Sequence, residues 1–292
     1  MKTYLECLPC FVQQTLDAVS MVTDDHGLRM RIMRRALQFL GDFPDDEPPP
    51  PMAARIHRLI REQTGCADPY RQVKDDANAH AHALVPRMRL LVRNSDDPFE
   101  TALRIAIAGN IMDWGARRHL KPDEQLVERT IEQTLAAPVR GLPVPKFRRR
   151  VESARRVLYL ADNAGEIVFD GLFIPFLPCA DVTLAVKGGP IINDATLEDA
   201  AQAGLPEGLR VVSTGSAIPG TVLEDCSEEF RALFATADLV IAKGQANYET
   251  LSDAAAPVCF LLKAKCPVIA RDIGCTVGET LLLDGAGAPR HA

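Results

Sequence analysis

The chain has 292 residues, of which 47% are hydrophobic and 25% are charged, and its formal net charge is −6. This composition is typical of a folded globular protein and excludes disordered, collagen-like and coiled-coil chains. No apolar run reaches the ~18 to 20 residues of a membrane helix, and the first ten residues lack the layout of a signal peptide. We therefore expect a cytoplasmic protein with no membrane partner.

The acidic charge is concentrated in the second half of the chain. Residues 151–292 contain 10 Lys and Arg against 19 Asp and Glu, a net charge of −9. Since nucleic acids are bound through clustered basic residues, we expect no nucleic-acid partner. Acidic side chains are instead suited to binding a hard cation.

The first half of the chain is predicted to be helical. Within residues 1–137, apolar residues recur at spacings of three and four, most clearly in 11–19 and 30–40. Residues 42–51 end in four prolines, which lack the backbone N–H that a helix interior needs. We therefore predict an extended loop between two helices there.

The second half is predicted to contain a mostly parallel sheet covered by helices. Proline, glycine and basic residues gather at 137–150, as at a domain boundary, so we place a helical domain at 1–148 and an α/β domain at 149–292. Beyond the boundary, short apolar runs alternate with helical segments, the pattern of strand–helix–strand units. The predicted strands are 157–161, 182–186, 209–212, 239–242, 258–262 and 268–270.

Polar residues directly follow the predicted strands, at the sheet edge where ligands bind in parallel α/β proteins. The loops after the first four strands contain residues 162–166, 187–194, 213–216 and 243–247. If the strands are parallel, these four loops share one rim of the sheet. We expect this rim to supply substrate-binding residues, namely Lys187, Gly188, Asn193, Gln245 and Asn247.

Three residues of this rim are candidate ligands of a cation. Asp162, Asn163 and Asp194 offer carboxylate and amide oxygens, the donors preferred by Mg²⁺ and Mn²⁺. The alternative is that each residue only caps the helix that follows it. Because Lys187 and Lys243 lie on the same rim, the convergence of charged groups favours a binding site.

The two lysines and one helical segment provide further candidates for substrate contact. Lys187 and Lys243 each follow a strand and precede a glycine, so their ammonium groups are candidates to bind an anion, or else are solvated. Asn110 and Asp113 are polar residues within the apolar segment 106–114 and share one helix face. They form either a satisfied buried pair or a contact with the substrate.

Cys7 and Cys10 have the spacing of half a metal site. The pair predicts half of a second metal site, and the equal alternative is two core cysteines one helical turn apart. Motifs of other enzyme classes are missing, since the chain contains no GxGxxG, GxxxxGK[ST], HExxH or GxSxG. This disfavours dehydrogenases, kinases and hydrolases built on a nucleophile elbow.

Taken together, several segments resemble the damage-control phosphatase family (DUF89), and the resemblance spans nearly the whole chain. The segments are ECLPCFVQ at 6–13, DPY at 68–70, GNIMD at 109–113, LADNAGE at 160–166, VKGGPIINDAT at 186–196, KGQANYETL at 243–251 and KC at 265–266. The CxxC start resembles the subfamily of bacteria and archaea. Lys187 stands where the family often has an arginine, and a lysine lacks the bidentate fork of that residue.

The resemblance implies a helical N-terminal domain on a three-layer α/β/α domain, and hydrolysis of small phosphate esters. It also implies that Asp162, Asn163 and Asp194 bind a divalent cation such as Mg²⁺, Mn²⁺, Co²⁺ or Ni²⁺. In our hypothesis Lys243 and Lys187 offset charge on the phosphoryl group, Glu166 and Asp194 are candidates for the general base, and water or Asp162 attacks phosphorus. The alternatives are a non-catalytic metal- or metabolite-binding protein and a carboxyl methyltransferase.

Overall fold

The structure is a computed structural model, and it describes residues 1–42, 44, 46–110, 124–178 and 181–285. Within this part of the chain, the predicted helical first half is confirmed as a series of six helices. They are α1 (Cys7–Val22), α2 (His26–Gly41), α3 (Pro49–Thr64), α4 (Arg71–Asn94), α5 (Pro98–Gly109) and α6 (Glu124–Ala136). No helix in these ranges is long and apolar enough to span a membrane.

Helices α1, α2 and α3 pack together around a small core of their own, which includes Phe11, Ile32 and Ile56. The loop predicted over 42–51 is wrong at its end, because Pro49 begins helix α3. Prolines are tolerated in the first turn of a helix, where the backbone N–H groups have no intrahelical acceptor. The proline run therefore marks the start of a helix as well as the end of a loop.

The second half forms a seven-stranded sheet within the described residues, with the order β1-β7-β6-β5-β2-β3-β4. All neighbouring strands are parallel except β6 and β7, so the predicted mostly parallel sheet is confirmed. The strands are β1 (Val139–Gly141), β2 (Arg156–Leu160), β3 (Asp181–Val186), β4 (Arg210–Ser213), β5 (Leu239–Lys243), β6 (Val258–Lys263) and β7 (Thr280–Asp284).

The helices of the second half alternate with these strands. They are α7 (Val144–Ser153), α8 (Glu166–Phe173), α9 (Leu197–Gln202), α10 (Glu228–Thr236), α11 (Gly244–Leu251) and α12 (Pro267–Ile273). The strand predicted at 268–270 is wrong, because these residues lie in α12. Cys266 accepts a hydrogen bond from the N–H of Ile269 and Pro267 occupies the first turn, so the local signals favour a helix.

Helices cover both faces of the sheet, which confirms the predicted three-layer architecture. Tyr159 and Ile241 face one layer, which contains α4, α5 and α8. Leu158 and Val240 face the other, which contains α10, α11 and α12. Adjacent strand residues point to opposite faces, and burial of both faces explains why these strands are almost wholly apolar.

The predicted division of the chain at 148/149 falls inside α7, and β1 lies before it in the sheet. Helices α4 and α5 share the core of the sheet, whereas α1 to α3 have a core of their own. The two-domain division stays a prediction. The packing does show that α4 and α5 lie against the sheet, where their side chains can contact residues at its edge.

Candidate active site

The candidate site lies where the strand order of the sheet reverses. Strand β2 pairs with β3 on one side and with β5 on the other. After β3 and β4 are added on the first side, the chain returns past β2 to add β5 on the second side. Such a reversal opens a crevice at the carboxyl ends of the strands, where α/β proteins bind ligands. The loop with Asp162 and Asn163 follows β2, and Gly244 follows β5.

Gly244 allows the β5 loop to approach the carboxylate of Asp162 closely. A Cβ atom on Gly244 would lie 1.8 Å from Asp162 Oδ2, far inside the closest approach of real Cβ atoms. The backbone of Gly244 also has a φ of +77°, which side-chain-bearing residues rarely adopt. Only glycine fits this position while Asp162 keeps its place.

Backbone hydrogen bonds join the loop after β2 to the loop after β3. Asn163 and Asp194 form an isolated β-bridge, and the N–H of Ala195 donates to the carbonyl oxygen of Asp162 at 2.8 Å. The N–H of Ala164 donates to the carbonyl oxygen of Asn193 at 2.9 Å. The structure thus brings Asp162, Asn163 and Asp194 together, and all three are buried.

Two amides and two carboxylates form a closed ring of hydrogen bonds beside these residues. Asn110 Nδ2, at the end of α5, donates to Asp162 Oδ2 at 2.9 Å and to Glu166 Oε2 at 2.8 Å. Asn163 Nδ2 donates to the same two oxygens, at 2.8 and 3.0 Å. We call this set, Asn110, Asp162, Asn163 and Glu166, the amide–carboxylate ring.

The donor set at the sheet edge fits a hard divalent cation. Since carboxylate oxygens only accept, both asparagine nitrogens must face them, and the amide oxygens face away. The amide oxygen of Asn110 is buried and has no hydrogen-bond partner in the described part of the chain. No group of three His, Cys, Asp or Glu side chains in the described ranges is placed to bind a metal, so a cation here would need the amide oxygen of Asn163 beside the two aspartates.

Lys243 is fully buried and faces away from the rim. Its Nζ donates to Glu166 Oε1 at 2.6 Å, to Asp170 Oδ1 at 2.6 Å and to the carbonyl oxygen of Ala106 at 2.9 Å. All three N–H groups of the ammonium are therefore used. The predicted contact of Lys243 with a bound anion stays a prediction, and it would require the ammonium to release one of these acceptors.

The charges around Lys243 favour its protonated form. Burial lowers the pKa of Lys243, but the carboxylates of Asp170 and Glu166 reverse this effect and raise it overall. Burial raises the pKa of Asp170 to about 6, although the ammonium of Lys243 opposes the shift. Tyr159 also donates to Asp170, at 2.7 Å. The site is thus backed by a buried cation between two acidic side chains.

Lys187 lies on the other side of the candidate ligands. It is buried, its Nζ donates to the carbonyl oxygen of Gly220, and it lies 3.5 Å from Asp194 Oδ2. Gly188, the next residue, contacts the Gly215 loop so closely that a Cβ atom would lie 2.4 Å from the Gly215 carbonyl carbon. The lysine thus places a positive charge next to one predicted cation ligand.

The remaining predicted substrate contacts are placed differently. Asn247 donates to the carbonyl oxygen of Lys243 at 2.8 Å and accepts from Thr221 at 2.8 Å, so its amide holds two loops together. Gln245 accepts from the N–H of Lys265. The side chain of Asn193 is buried. Asp113 lies outside the described residues.

Sequence reasoning missed a second buried network, centred on Asp199 in α9. Asp199 accepts from Lys74 at 3.2 Å and from Asn78 at 3.3 Å, and it caps α9 through the N–H and hydroxyl of Thr196. Asn78 also accepts from the N–H of Gly165 at 2.6 Å. Helix α4 therefore fixes both loops that carry the candidate ligands. The spacing of Thr196 and Asp199 is that of a capping box, which was the available signal.

The α1–α3 unit also contacts the Asp194 loop. Arg61 in α3 donates to the carbonyl oxygen of Pro190 at 2.8 Å, and Ile192 packs against the core of this unit. Ile192 has a φ of +45°, a strained conformation for a β-branched residue. Such strain persists only where the surrounding structure imposes it, so these contacts hold the loop in place.

In the described part of the chain, the cysteine pair of α1 belongs to no group of three side chains that could bind a metal. Cys7 is half-buried and Cys10 is exposed, and burial raises the pKa of the Cys7 thiol. A raised pKa disfavours the thiolate that binds metals. The second metal at Cys7 and Cys10 stays a prediction.

Comparison with known proteins gives a consistent likeness over nearly the whole chain. The profile of the damage-control phosphatase ARMT1-like domain matches residues 3–281. A damage-control phosphatase of Archaeoglobus fulgidus is 38% identical over 280 residues, which is 94% of this chain and 96% of the relative. Damage-control phosphatase PH1575 of Pyrococcus horikoshii is 35% identical over 278 residues, which is 94% of each chain. The crystal structure of a DUF89 family protein from Pyrococcus horikoshii has a TM-score of 0.87 at 33% identity, covering 98% of this chain and 99% of that chain.

Proposed function

Since the chain belongs to the ARMT1-like damage-control phosphatase family, it is a hydrolase of phosphate esters, and we propose that it acts on small phosphorylated metabolites with the help of a divalent cation. The observation that supports the cation best is the β-bridge between Asn163 and Asp194. It joins oxygen donors from two strand ends at the reversal of strand order. Sugar phosphates and damaged phosphorylated cofactors are the proposed substrate class.

In this proposal Asp162, Asn163 and Asp194 hold the cation. A divalent cation bound there would supply positive charge to a phosphoryl oxygen, the usual contribution of a metal in phosphate hydrolysis. Lys187 lies 3.5 Å from Asp194 and would offset the charge that develops on the transferred phosphoryl group. The family resemblance leaves two nucleophiles, a water molecule and the carboxylate of Asp162.

The test is phosphate release from sugar phosphates and phosphorylated cofactor fragments, after chelation and return of Mg²⁺, Mn²⁺, Co²⁺ or Ni²⁺. We expect turnover only with added metal, and its loss in Asp162→Ala and Asp194→Ala. Asp181→Ala is the matched control, because Asp181 is exposed at the opposite end of β3. Turnover that persists in chelator, or in both site variants, would contradict the proposal.

A further inference from the structure

Glu166 lies at the centre of the contacts behind the candidate cation site. It is the first residue of α8 and is fully buried. One carboxylate oxygen accepts from Lys243, and the other accepts from both amides of the amide–carboxylate ring. Both oxygens of Glu166 are therefore engaged by protein donors.

These contacts do not suit a general base. A base must lie within hydrogen-bond reach of the proton it removes, and Glu166 reaches three protein donors and has no exposed surface. Its geometry suits a different role. Because the carboxylate can only accept, it determines which end of each amide faces it, and hence which atom of Asn163 faces the cation site.

Resting on the proposed function, we propose that Glu166 is a positioning residue for cation binding. It orients the amides of Asn110 and Asn163, and these amides in turn hold Asp162 Oδ2 through two hydrogen bonds. This leaves the amide oxygen of Asn163 and the second carboxylate oxygen of Asp162 as the atoms that would bind the cation. The other oxygen of Glu166 accepts from Lys243 at 2.6 Å, which holds the carboxylate in place from behind.

Glu166→Gln tests this role with little change in shape. A glutamine has one oxygen and one NH₂ group, so one side of its amide must place a donor against either Lys243 or the two asparagine nitrogens. The accepting pattern of Glu166 cannot be reproduced in either orientation. Each amide then loses one of the two acceptors that fix its orientation, so the ligands of the cation are held less firmly.

The primary measurement is the affinity for Mn²⁺ in the absence of substrate. The electron paramagnetic resonance signal of free Mn²⁺ reports how much of the ion is bound. Loss of a residue that orients metal ligands commonly weakens metal binding by about 10- to 100-fold, and we expect a weakening in that range. We also expect kcat to return to within about threefold of the native value once Mn²⁺ saturates the variant, because in this proposal Glu166 positions ligands and does not remove a proton.

Asp170→Asn is the matched control. Asp170 is equally buried and also accepts from Lys243, but among the described residues it accepts no hydrogen bond from the amides of Asn110 and Asn163. We expect its Mn²⁺ affinity to stay within about threefold of the native value, because the amides keep both acceptors. Equal weakening in the two variants would overturn the proposal, since it would show an effect of charge alone.

Unchanged Mn²⁺ affinity of Glu166→Gln, with a kcat that saturating Mn²⁺ does not restore, would also overturn the proposal and identify Glu166 as the base. If Glu166→Gln does not fold, the same measurement is made on Asn110→Ala, which removes one of the two amides that hold Asp162. A native Mn²⁺ affinity in Asn110→Ala would refute the positioning role. Failure of the proposed function is distinguishable, because the native chain would then show no Mn²⁺ binding.

Discussion

Gly244 provides the most direct test of how closely the β5 loop must approach Asp162. In Gly244→Ala the new Cβ would lie 1.8 Å from Asp162 Oδ2 and 2.2 Å from its Cγ. Real Cβ atoms keep at least 3.0 Å from such neighbours, so the carboxylate or the loop must move by about 1 Å. A displacement of about 1 Å in a catalytic group can reduce turnover by about 100-fold.

The alanine also has an energetic cost that has nothing to do with Asp162. At a φ of +77° a residue with a Cβ costs roughly 1–2 kcal/mol relative to glycine. Gly208 separates the two effects, because its φ is +78° and, apart from its chain neighbours, no atom of the described residues lies within 4 Å of its hypothetical Cβ. Gly208→Ala therefore carries the backbone cost without the displacement of Asp162.

The assay compares both variants by urea denaturation and by phosphate release at saturating metal. We expect Gly208→Ala to lose roughly 1–2 kcal/mol of unfolding free energy and to keep its activity. Gly244→Ala should lose at least as much stability and about 100-fold in turnover. If Gly244→Ala retained native turnover, the position of Asp162 seen in the structure would not be the one that catalysis uses.

Two further predictions concern buried titratable groups away from the amide–carboxylate ring. Lys74→Met removes the buried ammonium of Asp199, but Arg71 still pairs with this carboxylate at 2.8 Å. Because one cation remains, we expect a loss of unfolding free energy below the about 3–5 kcal/mol of a buried charge left unpaired, but above the less than about 1 kcal/mol expected for the exposed Arg87→Met. Equal losses in urea denaturation would refute the argument. Burial lowers the pKa of His57 from 6.5 to about 3. When the pH is lowered from 7 to 5, the unfolded chain therefore binds a proton at His57 that the folded chain does not bind, and the free energy of unfolding decreases. Between pH 7 and pH 5, His57→Leu should lose about 2 kcal/mol less unfolding free energy than the native chain. Parallel plots of unfolding free energy against pH for the two proteins would contradict this assignment.

The convergence of Asp162, Asn163 and Asp194 was predictable from the sequence. Apolar runs that are buried on both faces indicate a parallel sheet, and polar residues at the ends of neighbouring strands must then meet at one edge. The direction of Lys243 was predictable too, although it was missed. Ile241 faces the layer of α5 and α8, and alternation along the strand puts Lys243 on that same face.

Other features depend on tertiary contacts that no local pattern contains. Lys74 and Asp199 lie 125 residues apart, and only the packing of α4 against α9 brings them together. The strand predicted at 268–270 failed because a three-residue apolar run does not distinguish a strand from a helix. Strand β1 was missed because its three residues, with Arg140 and Gly141, carry no apolar pattern.

Hydrogen bonds from helix α4 and from Asp199 hold the two loops that carry the candidate cation ligands. The loops after β2 and β3 are joined to each other by few backbone hydrogen bonds, and each is also held from outside the sheet. Asn78 fixes Gly165 behind Asn163, Asp199 fixes Thr196 behind Asp194, and α4 connects the two. A cation binds well only where its ligands are already in position, so in the proposed function the helical layer would contribute to cation affinity without touching the cation.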